Sequence, residues 1–122
     1  MKKNLSVTAA LGILAIILGA FGAHALKEKL GLDALQSFET GVRYQMYHVL
    51  ALLFVNTYNG FSSKAKNIVS WLFFIGILFF SGSIYAITAG GIDPKLIWFI
   101  TPLGGMLFIA GWSVILFNFF KK

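Results

Sequence analysis

The sequence is dominated by four long apolar stretches that are separated by short polar segments. The first and third contain no charged residue, and the fourth contains only Lys95, at its start. The apolar part of the second, from Val42 onward, reaches membrane length only if its helix begins earlier, near Leu32. Because a helix of about 20 apolar residues crosses a bilayer, the pattern predicts membrane spans at about 5–26, 36–58, 67–89 and 95–120.

The connections between these stretches are short, so each helix is expected to run antiparallel to the next. The predicted fold is an all-α membrane protein, a four-helix antiparallel transmembrane bundle forming one domain of residues 1–122. Asp93 and Pro94 fit the N-cap and the first position of the fourth helix. Pro102 follows about two turns later. Since proline removes a backbone hydrogen bond and clashes with the preceding turn, we expect a kink in the fourth helix near Pro102.

The composition argues against a soluble protein. Hydrophobic residues make up 58% of the 122 residues, charged residues make up 11%, and the mean hydropathy is +0.83. A small soluble domain leaves a large share of its surface in water and could not bury this much apolar surface. The composition therefore disfavours a soluble enzyme and a disordered chain. The absence of cysteine excludes disulfides, thiolate metal sites and thiol nucleophiles.

The charged residues are unevenly divided between the two predicted membrane faces. The face with both termini carries six lysines and no acidic residue, whereas the other face carries four cations and four anions. Because cytoplasmic segments carry an excess of lysine and arginine, both termini are predicted to be cytoplasmic in the cell membrane. The net charge of +6 then reports topology and does not indicate nucleic-acid binding. The same charge can attract anionic lipid headgroups at Lys64, Lys66, Lys121 and Lys122.

The N-terminal segment imitates a secretory signal peptide. Lys2 and Lys3 precede the apolar stretch, and Ala23-His24-Ala25 has the small-residue form of a cleavage site. The apolar run, however, exceeds the length of about 7–15 residues that is usual for the hydrophobic region of a signal peptide. We therefore expect this segment to be retained as the first span.

Polar side chains within the predicted spans gather in the membrane half away from the termini. Polar groups in lipid are costly, so each needs a structural or functional reason. Counting the helical rise from the cytoplasmic ends places most of them in the outer third of the bilayer. A ligand-binding site is hypothesised from nine of them: His24, Glu39, Arg43, Tyr44, Tyr47, His48, Ser81, Ser83 and Tyr85.

Two interpretations of these residues remain open. Glu39 and Arg43 are four residues apart, so they could form an intrahelical ion pair that only neutralises both charges. Alternatively, Arg43 holds an anionic group in a pocket that opens outward. In either case we expect the polar face of the second helix to turn inward, toward His24 and the third span. His48 lies near the midplane and is either a neutral histidine hydrogen-bonded to another helix or a proton carrier.

Small residues recur at helical spacings in the first and fourth stretches. Such residues let helix backbones approach closely in lipid. The pattern does not distinguish a contact within the chain from a contact with a second subunit, so a homo-oligomer stays open. Helix packing is predicted at Gly12, Ala15, Gly19, Gly22, Ala23, Gly104, Gly105 and Gly111.

The sequence contains no recognisable catalytic constellation. It shows no nucleophile with a base, no pair of catalytic acids, no set of metal ligands and no nucleotide-binding loop. We therefore predict no enzyme activity, no metal and no cofactor. The favoured function is a non-enzymatic four-span membrane protein whose polar cluster is structural or binds a small anionic molecule or lipid. The alternative is a small oligomeric carrier or channel, although a channel should show polar residues through the full depth of one helix face.

Several motifs resemble those of one known family. They are GAFGAHAL at 19–26, FETGVRYQMYH at 38–48, FFSGS at 79–83, TPLGG at 101–105 and Gly111-Trp112. With these motifs the chain resembles the YgdD-like domain-of-unknown-function family of small bacterial inner-membrane proteins, which has a eukaryotic transmembrane counterpart. The resemblance covers essentially the whole chain and implies four spans, without implying an activity or a ligand. The polar positions it implies are His24, Glu39, Arg43, Tyr44, Gln45, Tyr47, His48, Ser81 and Ser83.

Overall fold

A computed structural model describes residues 2–121, which form helices and short connections and contain no β-strand. The predicted all-α class is confirmed for these residues. Lys122, one of the predicted lipid contacts, lies outside the described residues. The elements are α1 (Lys2–Phe21) with a π-helical continuation (Gly22–Leu26), α2 (Leu32–Thr57), α3 (Ser63–Thr88), α4 (Pro94–Ile97) and α5 (Ile100–Phe120).

Three helical segments in the described part of the chain are long and apolar enough to cross a membrane: Lys2–Leu26, Ser63–Thr88 and Ile100–Phe120. The remaining long helix, α2, has the same 26-residue length as α3 but is less hydrophobic. Part of this polarity is directed inward, because Gln45, His48 and Asn56 are buried. Some polar residues of α2 are therefore buried against other helices, and others are on the surface.

The long helices pack side by side in the order α1, α2, α3 and α5. A hydrogen bond from Asn4 to Asn56 joins the start of α1 to the end of α2, and one between Ser83 and Thr101 joins the end of α3 to the start of α5. Neighbouring helices consequently run in opposite directions. The main apolar core lies among α2, α3 and α5 and includes Leu52, Val55, Val69, Phe73, Ile77 and Phe108.

The segment before α5 is interrupted rather than kinked at its proline. Pro94 is the first residue of the one-turn helix α4, and the Asp93 side chain accepts a hydrogen bond from the Lys95 amide. The helix then breaks at Trp98, and α5 begins at Ile100. A continuous helix would press the Pro102 ring against the Trp98 carbonyl and leave that carbonyl without its usual donor. The break therefore falls one turn before Pro102, which occupies the first turn of α5.

The closest approach between long helices is made by glycines of α3 and α5. A Cβ atom on Gly104 would lie 2.8 Å from the Cα of Phe80, and one on Gly76 would lie 2.7 Å from the Phe108 ring. Gly111 lies similarly close to the Phe73 ring. Only residues without a side chain permit this separation of two helices in lipid, where packing and not water exclusion drives association.

The small residues of α1 make looser contacts. A Cβ atom on Gly12 or Gly19 would meet a valine of α2 at 3.4 Å or 3.5 Å, which is an ordinary van der Waals distance. Ala15 is buried against α2, and Gly22 leaves room for the Phe38 ring. The two remaining positions predicted for packing are less enclosed, because Ala23 is exposed and Gly105 faces open space apart from one distant ring atom.

Candidate functional site

A buried glutamine joins three helices near the middle of α2. Gln45 of α2 is 1% exposed, and its Nε2 donates to the Leu11 carbonyl of α1 at 2.8 Å. Its Oε1 accepts from the Tyr85 hydroxyl of α3 at 2.7 Å. Both ends of the amide are thus paired across helix interfaces. Since an unpaired buried polar group is costly, these bonds favour one rotation of α2 about its own axis.

Two serines of α3 extend this hydrogen-bonded layer. The buried Ser81 hydroxyl donates to the Gly41 carbonyl of α2 at 2.7 Å. A side chain at Gly41 would crowd the Tyr85 ring, because its Cβ would lie 3.0 Å from that ring. Ser83 hydrogen-bonds the Thr101 hydroxyl of α5. The layer therefore connects α3 to both of its neighbours.

His48 is buried between α2, α3 and α5. Its Nδ1 lies 2.7 Å from the Tyr44 carbonyl, and its Nε2 lies 3.0 Å from Nε1 of Trp112. Indole nitrogen is only a donor, so Nε2 must accept and Nδ1 must carry the proton. The ring stacks on Phe108 at 3.7 Å and meets the edge of Phe73 at 4.8 Å. These contacts describe a neutral histidine that is hydrogen-bonded to a neighbouring helix.

The nine residues hypothesised to form one pocket fall into two groups. His48, Ser81 and Ser83 are buried, and Tyr85 is partly buried; all four are hydrogen-bonded inside the protein. The other five are exposed: His24, Glu39, Arg43, Tyr44 and Tyr47. The structure thus places the first group inside the protein, each with its own partner, and leaves the second group on the surface.

The inward face of α2 differs from the face that the sequence suggested. Gly41, Gln45 and His48 follow a helical spacing of four and three residues and point into the protein. Glu39 and Arg43 lie on another side of the helix and are exposed. The expectation that their face turns inward is therefore wrong. The physical reason is that α2 buries small and amide-bearing residues against α1 and α3, where a charge would lack water.

Arg43 pairs with a hydroxyl and not with a carboxylate. Its Nη2 donates to Thr40 Oγ1 at 3.0 Å, and within residues 2–121 it forms no ion pair with Glu39. A groove of about 280 Å³ lies beside it, between α1 and α2. An apolar groove of about 510 Å³ continues from Arg43 along the same two helices toward Met46 and Tyr47. Arg43 therefore lines both grooves, and Glu39 lines the smaller one with it.

A second polar cluster lies at the opposite end of the molecule. Asn56 is buried and donates to Ser70 at 2.9 Å, while its Oδ1 accepts from Asn4 at 3.0 Å. Asn4 also donates to Asn67 Oδ1 at 3.0 Å. These residues lie outside the site predicted from the sequence. The sequence does indicate them, because an asparagine or serine inside an apolar stretch needs a hydrogen-bond partner.

The buried polar side chains form hydrogen bonds within the protein. Within the described part of the chain, every buried side-chain nitrogen or oxygen has a hydrogen-bond partner. The same part contains no group of three histidines, aspartates or glutamates that could hold a metal ion. The geometry therefore assigns helix–helix bonding to the buried group of residues, whereas Arg43 is exposed beside a groove.

Comparison with known proteins reveals the family of the chain. Residues 18–105 match the family model described as protein of unknown function DUF423. The chain belongs to the DUF423 family. A membrane protein of Staphylococcus saprophyticus named UPF0382 is 43% identical to it over 99% of both chains. The relative UPF0382 membrane protein YwdK of Bacillus subtilis is 41% identical over 94% of both chains, and a Haemophilus influenzae UPF0382 membrane protein is 41% identical over 99% of this chain and 96% of its own length. No solved structure matches the chain.

The DUF423 assignment confirms the resemblance to a membrane-protein family of unknown function. Together with its three apolar helices, it identifies the chain as a membrane protein. The region matched by the DUF423 family extends from the end of α1 to the first turns of α5. It contains all nine residues of the hypothesised site, whereas Asn4 lies before it.

Proposed function

We propose that this protein is a four-span antiparallel bundle in the cell membrane, with α2 as the second span and both termini in the cytoplasm. The hydrogen bond between Asn4 and Asn67 places the starts of α1 and α3 at one end of the molecule. If both helices cross the membrane in the same direction, α2 has to return the chain across it. Its 26 residues span about 39 Å, which exceeds the hydrocarbon thickness of about 30 Å.

The proposed orientation predicts where the C-terminus lies. The end of α5 meets the end of α2 through Phe119 and Tyr58, so the C-terminal lysine at 121 joins those of α1 and α3 at one end. A phosphatase that is active only outside the cytoplasm should give no activity when fused after the last residue. The same enzyme inserted after Gly91, in the loop at the other end, should be active. A strong signal from the C-terminal fusion would overturn the orientation.

We further propose that the protein is non-enzymatic and binds the anionic group of a small molecule or lipid at Arg43. The exposed guanidinium, which lines two adjacent grooves, is the observation that carries this proposal. Its only hydrogen bond within residues 2–121 goes to Thr40, which leaves most of its five N–H donors for a ligand. Arginine can hold a carboxylate or phosphate through two parallel hydrogen bonds. The apolar groove beside it favours an amphiphile, whose tail would lie between α1 and α2.

Retention of a bound molecule tests this proposal. The full-length protein, extracted in mild detergent, should carry an additional mass in native mass spectrometry. Arg43→Gln should lose that mass and remain folded, because Arg43 is exposed. Arg43→Lys should retain it more weakly, since lysine lacks the planar pair of donors. Lys27→Gln removes a cation from the same membrane face and should retain the mass; equal losses in both glutamine variants would refute a site at Arg43.

A double variant that removes the charges of both Glu39 and Arg43 distinguishes ligand binding from charge neutralisation. If Glu39 and Arg43 only neutralised each other, removing both charges would be better tolerated than removing either one. Since the structure pairs Arg43 with Thr40, we expect Glu39→Gln/Arg43→Gln to behave like Arg43→Gln in both melting temperature and ligand loss. Recovery of stability in the double variant, relative to both single variants, would favour the ion pair instead.

A further inference from the structure

A second groove lies between α1 and α3, at the end of the molecule that contains the N-terminus. It has a volume of about 610 Å³ and is lined by Lys3, Asn4, Val7, Asn67, Trp71 and Phe74. It lies where α1 and α3 both pack on α2 but make little direct contact with each other. The hydrogen bond from Asn4 to Asn67 connects the two helices at its polar end.

The groove has one polar end and one apolar end. Lys3, Asn4 and Asn67 lie within the first turns of α1 and α3, whereas Val7, Trp71 and Phe74 lie deeper along the same helices. Trp71 is 62% exposed, so its ring is available to a molecule that occupies the groove. Tryptophan is typical of the zone where headgroups meet acyl chains. The polar end of the groove thus matches a phospholipid headgroup, and its apolar end matches an acyl chain.

The polar end favours an anion. Asn67 Oδ1 already accepts from Asn4, and its Nδ2 donates to no other residue in the stretch 2–121, so this amide presents donors to an outside group. Lys64 precedes Asn67 by three residues and Trp71 by seven, which places all three on one side of α3. No acidic residue occurs at this end of the chain to compete for the lysines. Ammonium and amide donors together suit a phosphate.

We infer that this groove binds one anionic phospholipid, with the phosphate at Lys3 and Asn67 and an acyl chain along Val7, Trp71 and Phe74. The site differs from the one proposed at Arg43, since it lies at the other end of the helices. It also differs from general attraction to the lysines of this face. A general attraction depends on charge alone, whereas the groove requires Lys3, Asn67 and the apolar wall.

The test compares two lipids that differ only in the headgroup. Delipidated full-length protein in detergent is titrated with phosphatidylglycerol or with phosphatidylethanolamine of the same acyl chains, and native mass spectrometry gives the dissociation constant of each bound lipid. Phosphatidylglycerol should bind tighter. Lys3→Gln should weaken it about fivefold, since one lysine near an anionic surface contributes about 1 kcal/mol. Inorganic phosphate at the same concentration should not displace the lipid, because it lacks the acyl chain.

Two further variants distinguish the groove from its alternatives. Asn67→Asp keeps the oxygen that accepts from Asn4 but replaces the donors with a negative charge, so phosphatidylglycerol binding should fall about tenfold or more. Lys121→Gln removes the same charge as Lys3→Gln outside the groove and should change affinity less than twofold. Equal effects of these two lysine variants would overturn the inference in favour of general attraction. Loss of the lipid in Arg43→Gln but not in Asn67→Asp would also overturn it, in favour of the other site.

Discussion

Gly104→Ala is expected to destabilise the protein by about 3 kcal/mol, at the upper end of the usual cost of overpacking. The new methyl group would lie 2.8 Å from the Cα of Phe80 and closer still to its backbone nitrogen. Backbone atoms in a helix cannot rotate away, so α3 and α5 have to separate. Separation would also loosen the contact between Gly76 and Phe108 and the hydrogen bond between Ser83 and Thr101. Thermal unfolding in detergent and titration with a denaturing detergent measure the effect.

Gly105→Ala is the matched control for this prediction. It adds the same methyl group to the next residue of α5, where the nearest atom is Cδ2 of Phe80 at 3.9 Å. We expect no destabilisation, because the methyl group makes only an ordinary contact and alanine favours a helix over glycine by about 0.5–1 kcal/mol. Similar destabilisation by both alanines would show that the close contact between α3 and α5 does not exist as described. The comparison is direct because helix propensity changes equally in the two variants.

Gln45→Leu is expected to destabilise the protein by about 2 kcal/mol, because two interhelical hydrogen bonds are lost and the partly buried Tyr85 hydroxyl loses its acceptor. Leucine fills a similar volume, so little of this effect comes from a cavity. The Tyr85 hydroxyl then loses the Gln45 oxygen that accepts its hydrogen bond. The free energy of unfolding, again from denaturing-detergent titration, gives the size of the loss.

A double-mutant cycle isolates the bond between Gln45 and Tyr85. Tyr85→Phe alone should cost about 1 kcal/mol, and it should cost less when residue 45 is already leucine, because the bond is then absent. Gln36→Leu makes the same substitution at an exposed position of α2 and should be nearly neutral. Strict additivity of the Gln45 and Tyr85 variants would contradict the hydrogen bond.

The helical class could be predicted from the sequence because hydropathy acts locally. An uncharged, largely apolar stretch such as 67–89 has one low-energy solution in lipid, a helix that satisfies its own backbone. The turn at Asp93 and Pro94 was equally local, since it depends on one side-chain bond and one fixed φ angle. Pro102 was recognised as a disruption, but the break falls one turn earlier, at the carbonyl that its ring would meet.

The partners of the polar residues were less predictable. Arg43 and Glu39 are correctly spaced for an ion pair, yet Thr40 is nearer to the guanidinium in the folded chain. Gln45 was indicated as a polar site residue only by the family resemblance. Nothing in its neighbourhood along the chain indicates Leu11 or Tyr85 as its partners. These partners are 34 and 40 residues away along the chain, so the register of whole helices determines whether they meet. One turn of sliding between α1 and α2 would change every such pair.

The membrane environment, the helical class and the membership of a membrane-protein family are predictable from the amino-acid sequence, because each depends on local composition or on direct similarity. The packing of the helices is needed to show which polar groups of α2 are buried with partners and which, like Arg43, remain accessible. It also placed the tightest helix contact at Gly104 rather than at Gly19. The physical reason is common to both: burial and close approach depend on helix rotation and register, which many weak contacts between distant residues determine together.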